Sequence, residues 1–131
     1  MRHIRQPEGS HQCGQACMAM LGNMTIYEAI EFLGTKGGTT TKEMAEGLRA
    51  IGFKCDDKLK RTNKAGALPP YSLCLVCVNY DETRWSHWII WNGKKELFYD
   101  PGMSRPVHEE FYYEKGGRIT SYLEITKRRI N

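Results

Sequence analysis

Cys13 stands near the head of Gln12-Cys13-Gly14-Gln15-Ala16-Cys17-Met18-Ala19-Met20-Leu21, where a short polar entry runs into an apolar helix. Far downstream, Ser86-His87-Trp88-Ile89-Ile90 sets a histidine at the start of an apolar strand. Phe98-Tyr99-Asp100-Pro101-Gly102 then ends the next strand on an aspartate. A thiol at a helix N-terminus, an imidazole and a carboxylate, in that order, are the parts of a cysteine-nucleophile site.

Each residue type answers a physical requirement. Only the thiolate attacks, and an ordinary cysteine near neutral pH is mostly protonated. A helix starting at Cys13 supplies unpaired N–H groups and the positive end of its dipole. An imidazole beside the sulfur can hold the proton. A carboxylate behind the imidazole fixes its tautomer and orientation. Gly14 reads as room for an incoming carbonyl. Gln6, Gln12, Gln15 and the backbone N–H of Cys13 are candidate oxyanion donors. Gln6 is favoured, because it lies on an irregular segment that can curl back over the thiol.

The elements that must position these groups follow from local signals. Residues 1–12 read as an irregular lead-in broken by Pro7, Gly9 and Ser10. A helix over 13–22 is small and apolar on most sides. Thr25-Ile26-Tyr27-Glu28 is a capping box for a helix to Leu33, and Thr40-Thr41-Lys42-Glu43 opens a third that stops at Gly52. A short strand is expected over 53–57 and a basic connection over 58–70. Strands are expected over 72–80, 85–91, 95–99 and 118–126. Helices first and an antiparallel sheet second predict an α+β domain spanning residues 1–131.

Asn92-Gly93 predicts a two-residue hairpin turn with Trp91 facing Lys94. Facing residue numbers then sum to about 185, which sets Asp100 near Trp85 and within about two positions of His87. Trp85 and Trp91 share strand parity with His87, so either can line the site, whereas Trp88 reads as core.

Taken together these residues resemble a papain-like cysteine peptidase, specifically the bacterial peptidases that cut leader peptides after a double glycine. The resemblance runs through Gln6, Cys13 to Leu21, Leu48-Arg49-Ala50-Ile51-Gly52-Phe53, His87-Trp88-Ile89-Ile90-Trp91 and Tyr99-Asp100-Pro101-Gly102. It implies a papain-like fold with Cys13 as nucleophile, His87 as general base, Asp100 as orienting carboxylate and Gln6 as the oxyanion-hole side chain. It implies a peptide or protein substrate, with neither metal nor cofactor. Gln12 stands where the family commonly has an aspartate.

Composition narrows the competing classes. The chain has 131 residues, the size of one domain, and a net charge of +4 from 19 basic and 15 acidic residues. The basic excess is scattered, and no aromatic interleaving suggests base stacking, so nucleic-acid binding is not expected. No stretch reaches the roughly 20 apolar residues of a membrane span, and no signal peptide is recognised. Five cysteines without framework spacing suggest a reducing, cytoplasmic setting.

Plainer readings compete residue by residue. Cys13 can be a buried structural thiol, and Cys17 reads as core one turn deeper. Cys74 and Cys77 have zinc-like spacing but fall within one strand on opposite faces, so they read as core. His11 is an alternative base on a strained connection, while His3 and His108 read as surface. Tyr112-Tyr113 reads as an exposed or edge segment. The competing functions are a deamidase or acyltransferase on the same fold, a non-catalytic peptide-binding module, and a zinc or Cys13–Cys17 redox protein.

Overall fold

The computed structural model describes residues 1–62, 68–79, 86–114 and 118–127, with the backbone alone for 113 and 114. Trp85, the polar run 81–84, the Tyr113 side chain and the basic end at 128–129 lie outside the described residues.

Three helices come first: α1 Cys13–Gly22, α2 Ile26–Leu33 and α3 Thr41–Ala50. Thr25 and Thr40 each accept from the backbone three residues on, while Glu28 and Glu43 reach back to the cap N–H. Both capping boxes are thus complete, because their signals are local. α1 ends at Asn23, which takes the left-handed conformation (φ 53°) that asparagine tolerates. Cys13 through Met20 are all buried, so α1 is the central helix. Gln15 extends this inward: its fully buried side chain donates to the carbonyls of Thr35 at 2.8 Å and Gly37 at 2.9 Å.

The strands are β1 Phe53–Lys54, β2 Lys60–Arg61, β3 Leu73–Asn79, β4 Ser86–Asn92, β5 Leu97–Tyr99, β6 Val107–His108 and β7 Arg118–Lys127, with the short helix α4 Glu109–Glu114 before β7. They form a seven-stranded antiparallel sheet in the order β1-β7-β3-β4-β5-β6, with β2 also paired to β7. The expected α+β class therefore holds. The strand expected over 53–57 is only Phe53–Lys54, and the basic connection contains β2.

Both faces of the sheet are covered, which is why β3 reads as a continuous apolar run rather than an alternation. Leu75 and Cys77 of β3, with Trp88 and Ile90 of β4, meet Cys17, Met18, Met44 and Leu48 of the helices. Cys74, Val76 and Val78 face the other way and join Ile89, Trp91, Phe98 and Tyr112. Cys74 and Cys77 accordingly lie in separate cores.

The β4–β5 hairpin departs from the two-residue expectation. Asn92 pairs with Leu97, Trp91 with Phe98 and Ile90 with Tyr99, so the turn spans residues 93–96. A β-carbon on Gly93 would lie 2.7 Å from the backbone of Ser72 and Tyr71, and its N–H donates to the Ser72 carbonyl at 2.8 Å. Gly93 is required by that close approach, and the positive φ falls on Glu96 instead (55°). The longer turn brings Asp100 to the residue following the Ile90–Tyr99 pair.

Candidate active site

The start of α1 is electrostatically bare. Its N-cap, Gln12, makes no side-chain cap, and no acidic residue occupies the first turn. The thiol of Cys13 uses this opening, accepting from the Gly14 N–H as well as from its neighbours on the sheet. The Trp88 N–H donates to Cys13 Sγ at 3.4 Å, and Cys17 Sγ donates to the Trp88 carbonyl at 3.4 Å. One peptide neighbourhood of β4 thus docks two successive turns of α1.

His87 is the residue before Trp88, and its ring bonds the Cys13 thiol on one side. On the other side Nε2 meets Asp100 Oδ1 at 2.5 Å, leaving Nδ1 for the sulfur. Asp100 is 3% exposed, and both its oxygens are committed. Oδ1 also accepts the Gly102 N–H at 2.8 Å, and Oδ2 accepts the Tyr112 hydroxyl at 3.3 Å. The sequence-predicted Cys13, His87 and Asp100 are therefore contiguous, although 75 residues separate Trp88 from Cys13 in the chain.

The electrostatics follow from these contacts. Burial pushes the Cys13 thiol up, but hydrogen bonds from His87, Trp88 and Gly14 and the charge of His87 outweigh it, leaving the thiol below its ordinary value. Burial pulls His87 down, but Asp100 and Cys13 raise it to about 9. Both shifts favour thiolate paired with imidazolium. Cys17 and Cys74 go the opposite way: burial pushes Cys17 well up, and Cys74 to about 12.

A cleft of about 990 Å³ opens over this row. Gln6, Thr39, Trp88 and Met103 line it with the three residues above. Gln6 is held there by its backbone N–H, which donates to the Pro101 carbonyl at 2.8 Å. Its Nε2 donates to the Ser10 carbonyl at 2.8 Å, while its Oε1 is buried with no hydrogen bond. Gln15 serves the loop described above and does not line the cleft. His11 does line it.

Several expectations are corrected. A β-carbon on Gly14 would lie 2.1 Å from Thr39 Oγ1, so the pressed-in loop by itself demands glycine there, a reason the sequence did not offer. Trp88, read chiefly as core, is both core and cleft wall, with its indole N–H donating to the Thr39 carbonyl at 3.4 Å. Trp91 points to the opposite core, its ring tilted against that of Phe98 with centroids 4.7 Å apart. His3 is half-buried, and its Nε2 donates to the Met103 carbonyl at 2.7 Å.

Tyr112 is the residue that sequence reasoning missed. Expected in an exposed or edge segment, it is 3% exposed and touches Asp100. The nearest available signal was an aromatic two residues after Glu109-Glu110, too little to specify a contact.

Among the described residues no group of three or more His, Cys, Asp and Glu side chains is arranged to hold a metal ion, and no helix is long and apolar enough to cross a membrane. Compared with known proteins, the chain matches no family model and no curated protein sequence.

Proposed function

We propose that this chain is a cysteine peptidase of papain-like fold, acting on a peptide or protein through Cys13, His87 and Asp100. The observation that carries the reading is the unbroken hydrogen-bonded row from Cys13 through His87 to Asp100. A buried structural thiol would be pushed up, as Cys17 is, whereas Cys13 is lowered.

In the proposed reaction the Cys13 thiolate attacks the amide carbonyl and forms a tetrahedral oxyanion. The Cys13 backbone N–H and the second N–H of the Gln6 amide are the proposed donors to that oxygen. Collapse breaks the C–N bond as His87 gives its proton to the leaving amine, and a thioester remains. Water then loses a proton to His87 and attacks the thioester. The C–S bond breaks, releasing the carboxylic acid product and restoring the thiolate. Asp100 keeps the ring in register throughout and stabilises the imidazolium. The similarity to double-glycine leader peptidases nominates a peptide with Gly-Gly before the scissile bond. The chemistry needs a free Cys13 thiol, which fits a reducing compartment such as the cytoplasm.

The test is the pH dependence of Cys13 alkylation by iodoacetamide, read by peptide mass mapping, in wild type and His87→Ala. Selective labelling that persists well below pH 8 and is slowed by His87→Ala supports the reading. Labelling no faster than that of Cys55, and indifferent to His87, favours a non-catalytic peptide-binding cleft. With a Gly-Gly peptide, two fragments indicate hydrolysis, whereas a mass gain of about one dalton on a glutamine substrate would indicate deamidation by the same row.

A further inference from the structure

Tyr112 stands on the far side of Asp100 from the thiol. It belongs to α4 and packs within the core on the sheet face opposite the three long helices, its ring 4.5 Å from that of Phe98. Phe98 is fully buried and lies on β5, the strand that leads into Asp100. The Tyr112 ring is therefore held by the same strand that presents the carboxylate. Its hydroxyl reaches Asp100 Oδ2 at 3.3 Å, while Oδ1 takes the His87 and Gly102 contacts at 2.5 and 2.8 Å.

A carboxylate turns about its Cβ–Cγ bond. With partners on Oδ1 alone, rotation would carry that oxygen away from the imidazole and leave Oδ2 buried with no donor, which is costly. A donor fixed on Oδ2 removes that freedom. Resting on the proposed Cys13–His87–Asp100 chemistry, we propose that Tyr112 is a positioning residue whose hydroxyl locks the plane of the Asp100 carboxylate so that Oδ1 stays on His87. The core opposite the helices is thereby tied to the thiol, although Tyr112 reaches it only through two intervening side chains. Among the described residues, the titratable groups around this unit are His87 from β4, Cys13 and Cys17 from α1, Cys77 from β3, His11 from the lead-in on the cleft wall, and Tyr112 itself from α4.

Without the hydroxyl, Asp100 holds the imidazolium less well, and the pH range of the thiolate–imidazolium pair narrows from both ends. The experiment compares wild type, His87→Ala, Tyr112→Phe and Tyr112→Leu in the pH profile of Cys13 alkylation and in thermal unfolding. Phe keeps the ring contact with Phe98 and Leu does not, so Leu is expected to unfold at lower temperature. Positioning predicts that both variants slow alkylation at pH 6 by the same factor, about threefold to tenfold, and shift the acid limb upward together. Profiles superimposable on wild type, or a shift that tracks unfolding temperature and is absent in Phe, would overturn the proposal and leave the triad reading intact. A wild-type profile already identical to His87→Ala would sink the triad reading, and the proposal with it.

Discussion

The backbone N–H of Trp88 donates to Cys13 Sγ at 3.4 Å, so the thiol is fastened to the residue adjoining His87. The imidazole and the sulfur consequently share one frame: any movement of β4 carries the ring and the sulfur's backbone donor together. The pKa of Cys13 is lowered within this frame despite burial, and disturbing the frame at different points has separable consequences.

Replacing Asp100 by Asn removes the buried charge while keeping the shape. Burial alone lowers His87, and the hydrogen bond to Asp100 is the largest influence opposing it, ahead of the contact with Cys13. The imidazolium is therefore expected to lose its proton well below pH 9, and Cys13 alkylation at pH 6 to slow. Peptide cleavage should fall by about two orders of magnitude or more. Parallel alkylation and cleavage profiles check this; an unchanged alkaline limb would contradict it.

Stability should depend on pH through His87. Its folded value, about 9, lies above the ordinary 6.5 of the unfolded chain. The stabilisation is thus complete below pH 6.5 and is lost as pH rises through the folded value. Cys13 has the opposite sign, so Cys13→Ser is the background to use, and there the folded value of His87 is lower because the thiol contact is gone. Urea midpoints should fall from pH 6 to pH 9.5 in Cys13→Ser more steeply than in Cys13→Ser/His87→Ala. Parallel slopes would show that the ring gains nothing on folding.

Gly14→Ala should be destabilising by about 1–3 kcal/mol, because its β-carbon would meet Thr39 Oγ1 at 2.1 Å and Cγ2 at 3.1 Å. Thr39→Ala removes both atoms. In that background Gly14→Ala should cost about 1 kcal/mol less, a coupling measurable by urea unfolding of the four proteins. Additive effects would mean that the clash is relieved elsewhere.

Gln15→Ala leaves the carbonyls of Thr35 and Gly37 without the buried donor they share. A loss of about 2–3 kcal/mol is expected, together with faster hydrogen exchange of the amides around residues 36–40. Because Gly38 and Thr39 line the cleft, Cys13 alkylation should become less selective relative to Cys55. Unchanged exchange in that loop would place its support elsewhere.

What could be read from the sequence depended on how local each signal was. The capping boxes at Thr25–Glu28 and Thr40–Glu43 act over one turn, and both helices begin where those residues demand. The apolar runs of β3, β4 and β7 were legible for the same reason. Asn92-Gly93 misled because its local turn preference was overridden by Gly93 pressing against the backbone of Ser72. Strand parity correctly separated Cys74 from Cys77, yet it could not say which face carried the cleft, and so Trp91 was nominated where Trp88 serves.

The sequence by itself determined the first three helices, the main strands and the three residue types capable of nucleophilic chemistry, because caps, periodicity and side-chain chemistry are properties of short segments; α4, with neither a capping box nor a long apolar period, was not among them. Tertiary structure alone decided the β4–β5 register, the contact of Thr39 with Gly14 and the hydroxyl of Tyr112 on Asp100. Each of these depends on contacts outside the local segment, Ser72 against Gly93 in the case of the hairpin, and such partners are chosen by which surfaces must be buried together rather than by any local preference.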